Sequence, residues 1–219
     1  MTNHKKTARL AGVLYLVFIF LVMFAYMFVD DKLLIADDAA TTLTNIGANE
    51  GLFRLGFVTC LIGYAFFLVC SNVLVKLFKS TDEHLARLMH TFVVVGVSII
   101  FACKIAVFSL IDTSDIEFAS FLLALDINSY LVADIFWGLW LVPLAMLIFK
   151  SQMIPKIIGY GLLASTIYHL VLFSMYLLTA ECPAALENIL AAAGTIGEFV
   201  FVFWLIIKGV KKEEMEQPA

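Results

Sequence analysis

Six long runs of apolar residues fill most of this 219-residue chain and limit what it can fold into. The first run, 10–29, contains no charged residue, and neither does the second, 55–75. A helix needs about 20 mainly apolar residues to cross the roughly 30 Å of hydrocarbon in a membrane. Because 63% of the residues are hydrophobic and only 15% are charged, the chain cannot cover a water-facing globule with polar side chains. The sequence therefore predicts an integral membrane protein.

The apolar runs predict an all-α, polytopic fold, a bundle of six transmembrane helices that forms a single domain over residues 1–219. Little of the sequence alternates polar and apolar residues as a barrel requires, and lipid tolerates no open strand edge. Pro143 lies well inside an apolar run and should kink the fourth helix. The predicted spans are about 10–29, 52–78, 85–111, 128–149, 155–178 and 187–208, followed by a short charged cytoplasmic tail, 210–219.

Short interfacial helices are expected in two of the outer loops, 30–51 and 112–127. Each loop holds a helix N-cap signal that precedes apolar residues at helical spacing. A third cap signal predicts that the helix of the third span begins near residue 81. The cap residues are Asp37 or Asp38 in the first loop, Ser114 with Glu117 in the second, and Ser80 with Glu83 before the third span.

Lysine and arginine residues are unevenly divided between the two sides of the predicted bundle. Most of them lie at the two termini and in the second and fourth connections, whereas the other three connections hold only Lys32 and Arg54. Short cytoplasmic segments are enriched in these residues, so both termini are predicted to be cytoplasmic. No basic patch combines with surface aromatic residues, and nucleic acid is therefore not an expected partner.

Five ionisable side chains inside the predicted spans, or at the mouth of one, are the candidate ligand-binding residues. A charge at the centre of a bilayer costs about 2.5–3.5 kcal/mol on insertion scales, so such groups need partners, water or protonation. With a rise of about 1.5 Å per residue, all five fall in the outer half of the membrane. They are Arg54, Lys104, Asp134, His169 and Glu198.

Similar depths predict two pairs among these residues, Lys104 with Asp134 and His169 with Glu198. Small and hydroxyl residues on the same faces favour an orientation toward other helices. This predicts a polar core that is open, or nearly open, to the outside. The alternative is that the charges only hold helices together without binding a ligand, and that Arg54 is an interfacial anchor or a partner for a loop.

Catalytic signatures are missing from the sequence. It contains no H-E-x-x-H, C-x-x-C, G-x-S-x-G or S-x-x-K pattern. Catalytic residues therefore stay unassigned, and neither a metal site nor a cofactor is expected.

Several short motifs, taken in their order along the chain, resemble those of a bacterial membrane family known as domain of unknown function 4386. The resemblance covers residues 9–209 and implies a bacterial cytoplasmic membrane protein, but it supplies no activity. Arg54 and Glu198 fall within the motifs, whereas Lys104, Asp134 and His169 do not. The motifs are Arg9-Leu10-Ala11-Gly12-Val13-Leu14-Tyr15-Leu16, Asp38-Ala39-Ala40, Glu50-Gly51-Leu52-Phe53-Arg54-Leu55-Gly56, Ile154-Pro155-Lys156 with Gly159, and Gly197-Glu198 with Trp204 and Lys208-Gly209.

Three functions stay open at the level of sequence. The favoured one is a binding or transport protein with an outward-facing polar pocket for an ion or small molecule. The second is an intramembrane enzyme that uses Glu198 and His169 as acid and base, on a lipid substrate. The third is a structural or sensory subunit with purely structural charges. The expected partners are the lipid bilayer and the ion or small molecule, and the bundle is compatible with a homo-oligomer.

Overall fold

Six helices that are long and apolar enough to cross a membrane dominate the computed structural model, which describes residues 3–179 and 182–211. No strand occurs in these residues, and the predicted all-α fold is confirmed. Residues 212–219 of the predicted tail lie outside the described part of the chain. The six spans are His4–Leu33, Glu50–Phe78, Glu83–Asp112, Ile116–Ser151, Lys156–Thr179 and Ala184–Ile207.

Nine α-helices make up these spans and their connections within the described residues. A π-helical segment follows α1, and a 3-10 turn follows α5. The elements are α1 (Asn3–Met23), the π-helix (Phe24–Asp30), α2 (Asp31–Leu33), α3 (Ala39–Ala48), α4 (Glu50–Phe78), α5 (Glu83–Phe108), the 3-10 turn (Ser109–Asp112), α6 (Ile116–Leu139), α7 (Leu141–Ser151), α8 (Lys156–Thr179) and α9 (Ala184–Ile207).

The six spans pack as a closed ring in chain order. Each span contacts the next one along the chain, and α9 returns to pack against α1. Short connections favour such neighbouring antiparallel pairs. One end of the ring, which we call the acidic end, holds the connection with α3, residues 113–115, the end of α8 and the start of α9. The other end, which we call the basic end, holds the start of α1, the end of α9 and the connections 79–82 and 152–155.

The first span extends beyond its predicted end at residue 29. The chain continues from α1 through the π-helical turns Phe24–Asp30 and ends the span at Leu33. A π-helical turn holds more residues than an α-helical turn and changes which side chains face inward. As a consequence, Asp30 lies within a span and not in the outer loop, where the sequence had placed it.

The fourth span also begins earlier than predicted. Residues 118–125 do not form a separate interfacial helix, because α6 runs without interruption from Ile116 to Leu139. Its N-cap is Asp115 rather than Ser114, and the Asp115 carboxylate accepts hydrogen bonds from the backbone N–H groups of Glu117 and Phe118. Of the apolar side chains that the sequence assigned to an interface, Leu122 is buried in the bundle, whereas Phe118, Phe121 and Leu125 are exposed. The span therefore includes Asp126.

The remaining local predictions have different outcomes. Asp38 caps α3 as predicted, and its hydrogen bonds from Thr41 lower the pKa of its carboxyl group. The cap of α5 is Asp82, which accepts from the N–H of Leu85, so the helix begins at Glu83 and not near residue 81. The fourth span breaks at Trp140, as Pro143 predicts, because proline has no N–H to donate to the carbonyl group of residue 139.

Candidate functional site

A lysine with two carboxylate partners is buried toward the acidic end of the ring. Lys104 Nζ lies 2.8 Å from Asp30 Oδ2 and 3.6 Å from Asp126 Oδ2, and the lysine side chain is only 3% exposed. The ammonium group also lies 5.4 Å from the ring centre of Tyr26 and 5.2 Å from that of Tyr130, in cation–π geometry. These five residues, which come from the first, third and fourth spans, are called the Lys104 cluster.

The second span closes the cluster on one side. Tyr64 and Tyr26 share a hydrogen bond of 2.9 Å between their hydroxyl groups. A cavity with room for about one water molecule lies between Lys104, Asp30 and Cys60, with apolar side chains as its other walls. The cluster is therefore enclosed by four spans.

Two polar atoms of the Lys104 cluster are buried without a hydrogen-bond partner among the described residues. They are Asp126 Oδ1 and the Tyr130 hydroxyl oxygen. Buried polar atoms usually have a partner, because an unpaired one costs free energy. Asp126 and Tyr130 lie one turn apart on α6, so both atoms belong to the same helix face.

A chain of hydrogen bonds and close ionic contacts links four spans deeper in the ring. His169 Nδ1 lies 2.7 Å from Asp134 Oδ1, and His169 Nε2 lies 3.6 Å from Glu198 Oε1. The hydroxyl group of Tyr15 donates a hydrogen bond to Glu198 Oε2. These four residues are called the His169 chain. They come from α6, α8, α9 and α1, so the chain ties together the fourth, fifth, sixth and first spans.

The close approach of α8 and α9 positions the His169 chain. A Cβ atom at Gly197 would overlap the carbonyl oxygen of Gly161, so glycine is required at this crossing. Next to it, the Ser165 hydroxyl group donates a 2.6 Å hydrogen bond to the carbonyl oxygen of Gly194. Glu198 follows Gly197 directly, and the tight crossing therefore brings its carboxylate to the imidazole of His169.

The predicted pairs have different outcomes. His169 and Glu198 are paired as expected, but the Lys104–Asp134 pair is wrong, because Lys104 binds Asp30 and Asp126 while Asp134 binds His169. The depth of Asp134 was counted from residue 128, whereas the helix already begins at Ile116. Lys104 therefore contacts Asp126, which precedes Asp134 in α6.

Arg54 joins neither group of charges. Its Nε atom lies 2.7 Å from Glu50 Oε1 one turn earlier, both side chains are half exposed, and its guanidinium group lies over the ring of Phe108. The structure therefore brings together three of the five predicted candidates, Asp134, His169 and Glu198, and places Lys104 in a separate cluster.

Sequence reasoning missed five residues of the two groups, which are Tyr15, Tyr26, Asp30, Asp126 and Tyr130. Two signals were available. Tyr26 with Asp30, and Asp126 with Tyr130, have the spacing that places two side chains on one helix face. Each aspartate also lies at the edge of an uncharged apolar run and not in a polar loop. For Tyr15 no sequence signal existed, because its role depends on the packing of the first span against the last.

No group of three or more His, Cys, Asp or Glu side chains within the described residues has a geometry that could hold a metal ion. In the His169 chain, phenol, carboxyl and imidazole groups follow one another at hydrogen-bond or close ionic distances, and such groups are able to hold a proton.

The ring of six apolar spans and its buried ionisable groups define a multi-pass α-helical membrane protein. The chain belongs to the family described as Domain of unknown function (DUF4386), whose model matches residues 10–209. This confirms the resemblance seen in the sequence motifs. Comparison with curated proteins and with solved structures gives no match.

Proposed function

We propose that this protein is a binding or transport protein that takes up and passes protons, with the His169 chain as its proton-binding site. One observation carries the proposal: both ring nitrogens of His169 face carboxylate oxygens, in the interior of a membrane-spanning bundle. The sequence predicts an ion or small molecule as the ligand. A proton fits this arrangement best, because binding a proton needs no cavity.

The net charge of the His169 chain supports an exchangeable proton. A proton on each imidazole nitrogen gives favourable contacts to both Asp134 and Glu198. The three groups then carry one net negative charge, and one more proton on a carboxylate makes them neutral. Because charge is costly in hydrocarbon, gain and loss of this proton change the stability of the surrounding helix contacts. Such a link between protonation and packing is what a proton-driven transport protein needs.

The side chains of the His169 chain are partly exposed, which supports the access of protons to them. The side chains of His169, Asp134 and Glu198 are 16%, 24% and 23% exposed, whereas Tyr15 is buried. Toward the acidic end, the apolar side chains of Leu178 in α8 and Ile189 in α9 are also largely exposed. We therefore propose that protons enter from the acidic end.

The location of the protein is part of this proposal. We propose that it lies in the bacterial cytoplasmic membrane, with the basic end and both termini in the cytoplasm, since short cytoplasmic segments are enriched in Lys and Arg. Single cysteines at Asp37 and Gln152, in a variant without native cysteines, test the orientation. A membrane-impermeant maleimide should label the first and not the second in intact cells. The homo-oligomer and lipid contacts other than the bilayer stay predictions.

Proton movement through the purified protein tests the function. The protein is reconstituted in liposomes that contain a pH-sensitive dye, and a membrane potential is imposed with potassium and valinomycin. We expect faster acidification or alkalinisation than in protein-free liposomes, and we expect Glu198→Gln and Asp134→Asn to remove the difference. Glu187→Gln is the matched control, because this glutamate lies on the same helix as Glu198 but is not part of the His169 chain.

The alternatives give different results in the same assay. If wild type and Glu198→Gln move protons equally, the proposal is wrong. A purely structural role predicts that Glu198→Gln changes the melting temperature while proton movement is absent in both proteins. An acid–base enzyme predicts the consumption of a lipid in the liposomes, which mass spectrometry would detect.

A further inference from the structure

We propose that the Lys104 cluster is a second proton-exchanging site, in which Asp126 carries the exchangeable proton while Lys104 and Asp30 stay an ion pair. The inference goes beyond the proposed function. It concerns a separate group of residues, and it does not require that protons pass through His169.

The distances within the cluster distinguish its two carboxyl groups. The 2.8 Å contact between Lys104 Nζ and Asp30 Oδ2 is a charge-assisted hydrogen bond, whereas the 3.6 Å to Asp126 Oδ2 is too long for one. The ammonium group therefore neutralises Asp30 directly and leaves Asp126 with the weaker interaction.

The charge count requires one proton for neutrality. One ammonium and two carboxylates carry one net negative charge, yet Lys104 is 3% exposed and Asp126 is 7% exposed. A buried uncompensated charge is costly, and a proton on one carboxyl group removes it. The other titratable side chains that face Asp126 and Lys104 from the packed helices are three phenols and one thiol, and none of them adds a positive charge: Tyr26, Cys60, Tyr64 and Tyr130.

The buried atoms without a partner indicate where that proton resides. Asp126 Oδ1 and the Tyr130 hydroxyl oxygen both lack a partner in the described structure, and they lie one turn apart on α6. A neutral Asp126 needs no countercharge at this position. A carboxylate would instead leave negative charge on an oxygen that no donor reaches.

The cavity beside the ion pair provides a route for exchange. It has room for about one water molecule, and its polar wall is formed by Asp30, Lys104 and Cys60. A water molecule there would have polar partners on three spans, so it could carry a proton between the cluster and the solvent at the acidic end.

Infrared spectroscopy of the full-length protein in lipid tests the site directly. Protonated carboxyl groups have a C=O stretching band that ionised ones lack. We expect Asp126→Asn to remove one such band from the spectrum at neutral pH. We expect the double variant Lys104→Met with Asp30→Asn, which removes the ion pair and its charge together, to leave this band in place. Glu117→Gln, at the exposed start of the same helix, is the control. If Asp126→Asn leaves the carboxyl bands unchanged at every pH, the proposal is wrong.

A pair of double variants tests the charge assignment by stability. Lys104→Met with Asp30→Asn removes the ion pair and leaves a neutral Asp126, so its melting temperature should stay within a few degrees of wild type. Lys104→Met with Asp126→Asn leaves Asp30 as an unpaired carboxylate and should melt well below it. Equal melting temperatures, or the reverse order, would overturn the assignment. Neither experiment involves Glu198 or His169, so failure here is distinguishable from failure of the proposed function.

Discussion

Asp126 and Asp134 lie on the same helix, α6, and each binds a different basic residue. Asp126 is 3.6 Å from Lys104, whereas Asp134 is 2.7 Å from His169. Eight residues separate them, which corresponds to about 12 Å along a helix. Tyr130 lies midway between them and contributes to the Lys104 cluster. The helix therefore carries two ionisable sites at two depths, and any movement of α6 along its axis changes both.

Aromatic side chains fill the ring between the two sites. Tyr64, which bonds to Tyr26 of the Lys104 cluster, stacks on Trp137 with ring centres 5.8 Å apart. Tyr15, which bonds to Glu198, lies 5.9 Å from Trp140 in edge-to-face geometry. This packed aromatic layer separates the two sites.

Removing the hydroxyl group of Tyr15 should destabilise the protein. Tyr15→Phe leaves Glu198 without its phenol donor, and hydrogen bonds to charged groups contribute about 1.5–3 kcal/mol to the free energy of unfolding. Chemical unfolding in detergent would measure the loss. Tyr160→Phe is the control, because Tyr160 is 61% exposed. Equal effects of the two substitutions would contradict the role of Tyr15.

Adding a methyl group at the α8–α9 crossing should loosen it. Gly197→Ala places a Cβ against the carbonyl oxygen of Gly161, and overpacking of this kind costs about 1–3 kcal/mol. We expect a lower melting temperature together with weaker proton movement, since Glu198 is the next residue. A Cβ at Gly51 meets nothing within 4 Å, so Gly51→Ala should be neutral or slightly stabilising. A neutral result at Gly197 would show that the helices cross less closely.

Removing the lysine alone should be among the most destabilising single charge changes. Lys104→Met leaves Asp30 buried without its cation, and breaking a buried ion pair from one side costs about 3–5 kcal/mol. The exposed pair Arg87–Glu83 provides a comparison, because Arg87→Met should cost at most about 0.5 kcal/mol. Thermal unfolding of both variants in the same detergent would measure the difference. Similar melting temperatures would show that the prediction is wrong.

Acid should weaken the start of α5 through Asp82. The pKa of this carboxyl group is lowered by the hydrogen bond from the N–H of Leu85 and by the hydrogen bond from Lys150. A folded-state pKa below the unfolded value gives stability at higher pH, and this contribution is lost as the pH falls below about 4 and through the folded pKa. Melting temperature measured against pH should therefore fall less steeply for Asp82→Asn than for wild type. An unchanged slope would contradict this, and Glu83→Gln is the control.

The fold followed from the sequence because the requirement for burial in lipid acts on each span separately. Six apolar runs predicted six helices, and Asp37 or Asp38 was the predicted cap of α3, which is Asp38. Pro143 predicted a kink in the fourth helix, which breaks at Trp140. Each of these features depends on residues within a few positions of one another. The cost of an unpaired backbone group or an exposed polar side chain in hydrocarbon is large enough to determine them locally.

Within the candidate site, the sequence indicated which ionisable side chains enter the membrane but assigned only one of their pairs. His169 with Glu198 followed from equal depth, whereas the partners of Lys104 were missed because α6 begins earlier and the π-helical turns bring Asp30 inward. The pairing of these side chains depends on the residue at which each helix begins, on the rotation of each helix about its axis and on the order of the spans in the ring. These are determined by the packing of side chains from distant parts of the chain, such as Gly197 against Gly161, and no local pattern contains that information.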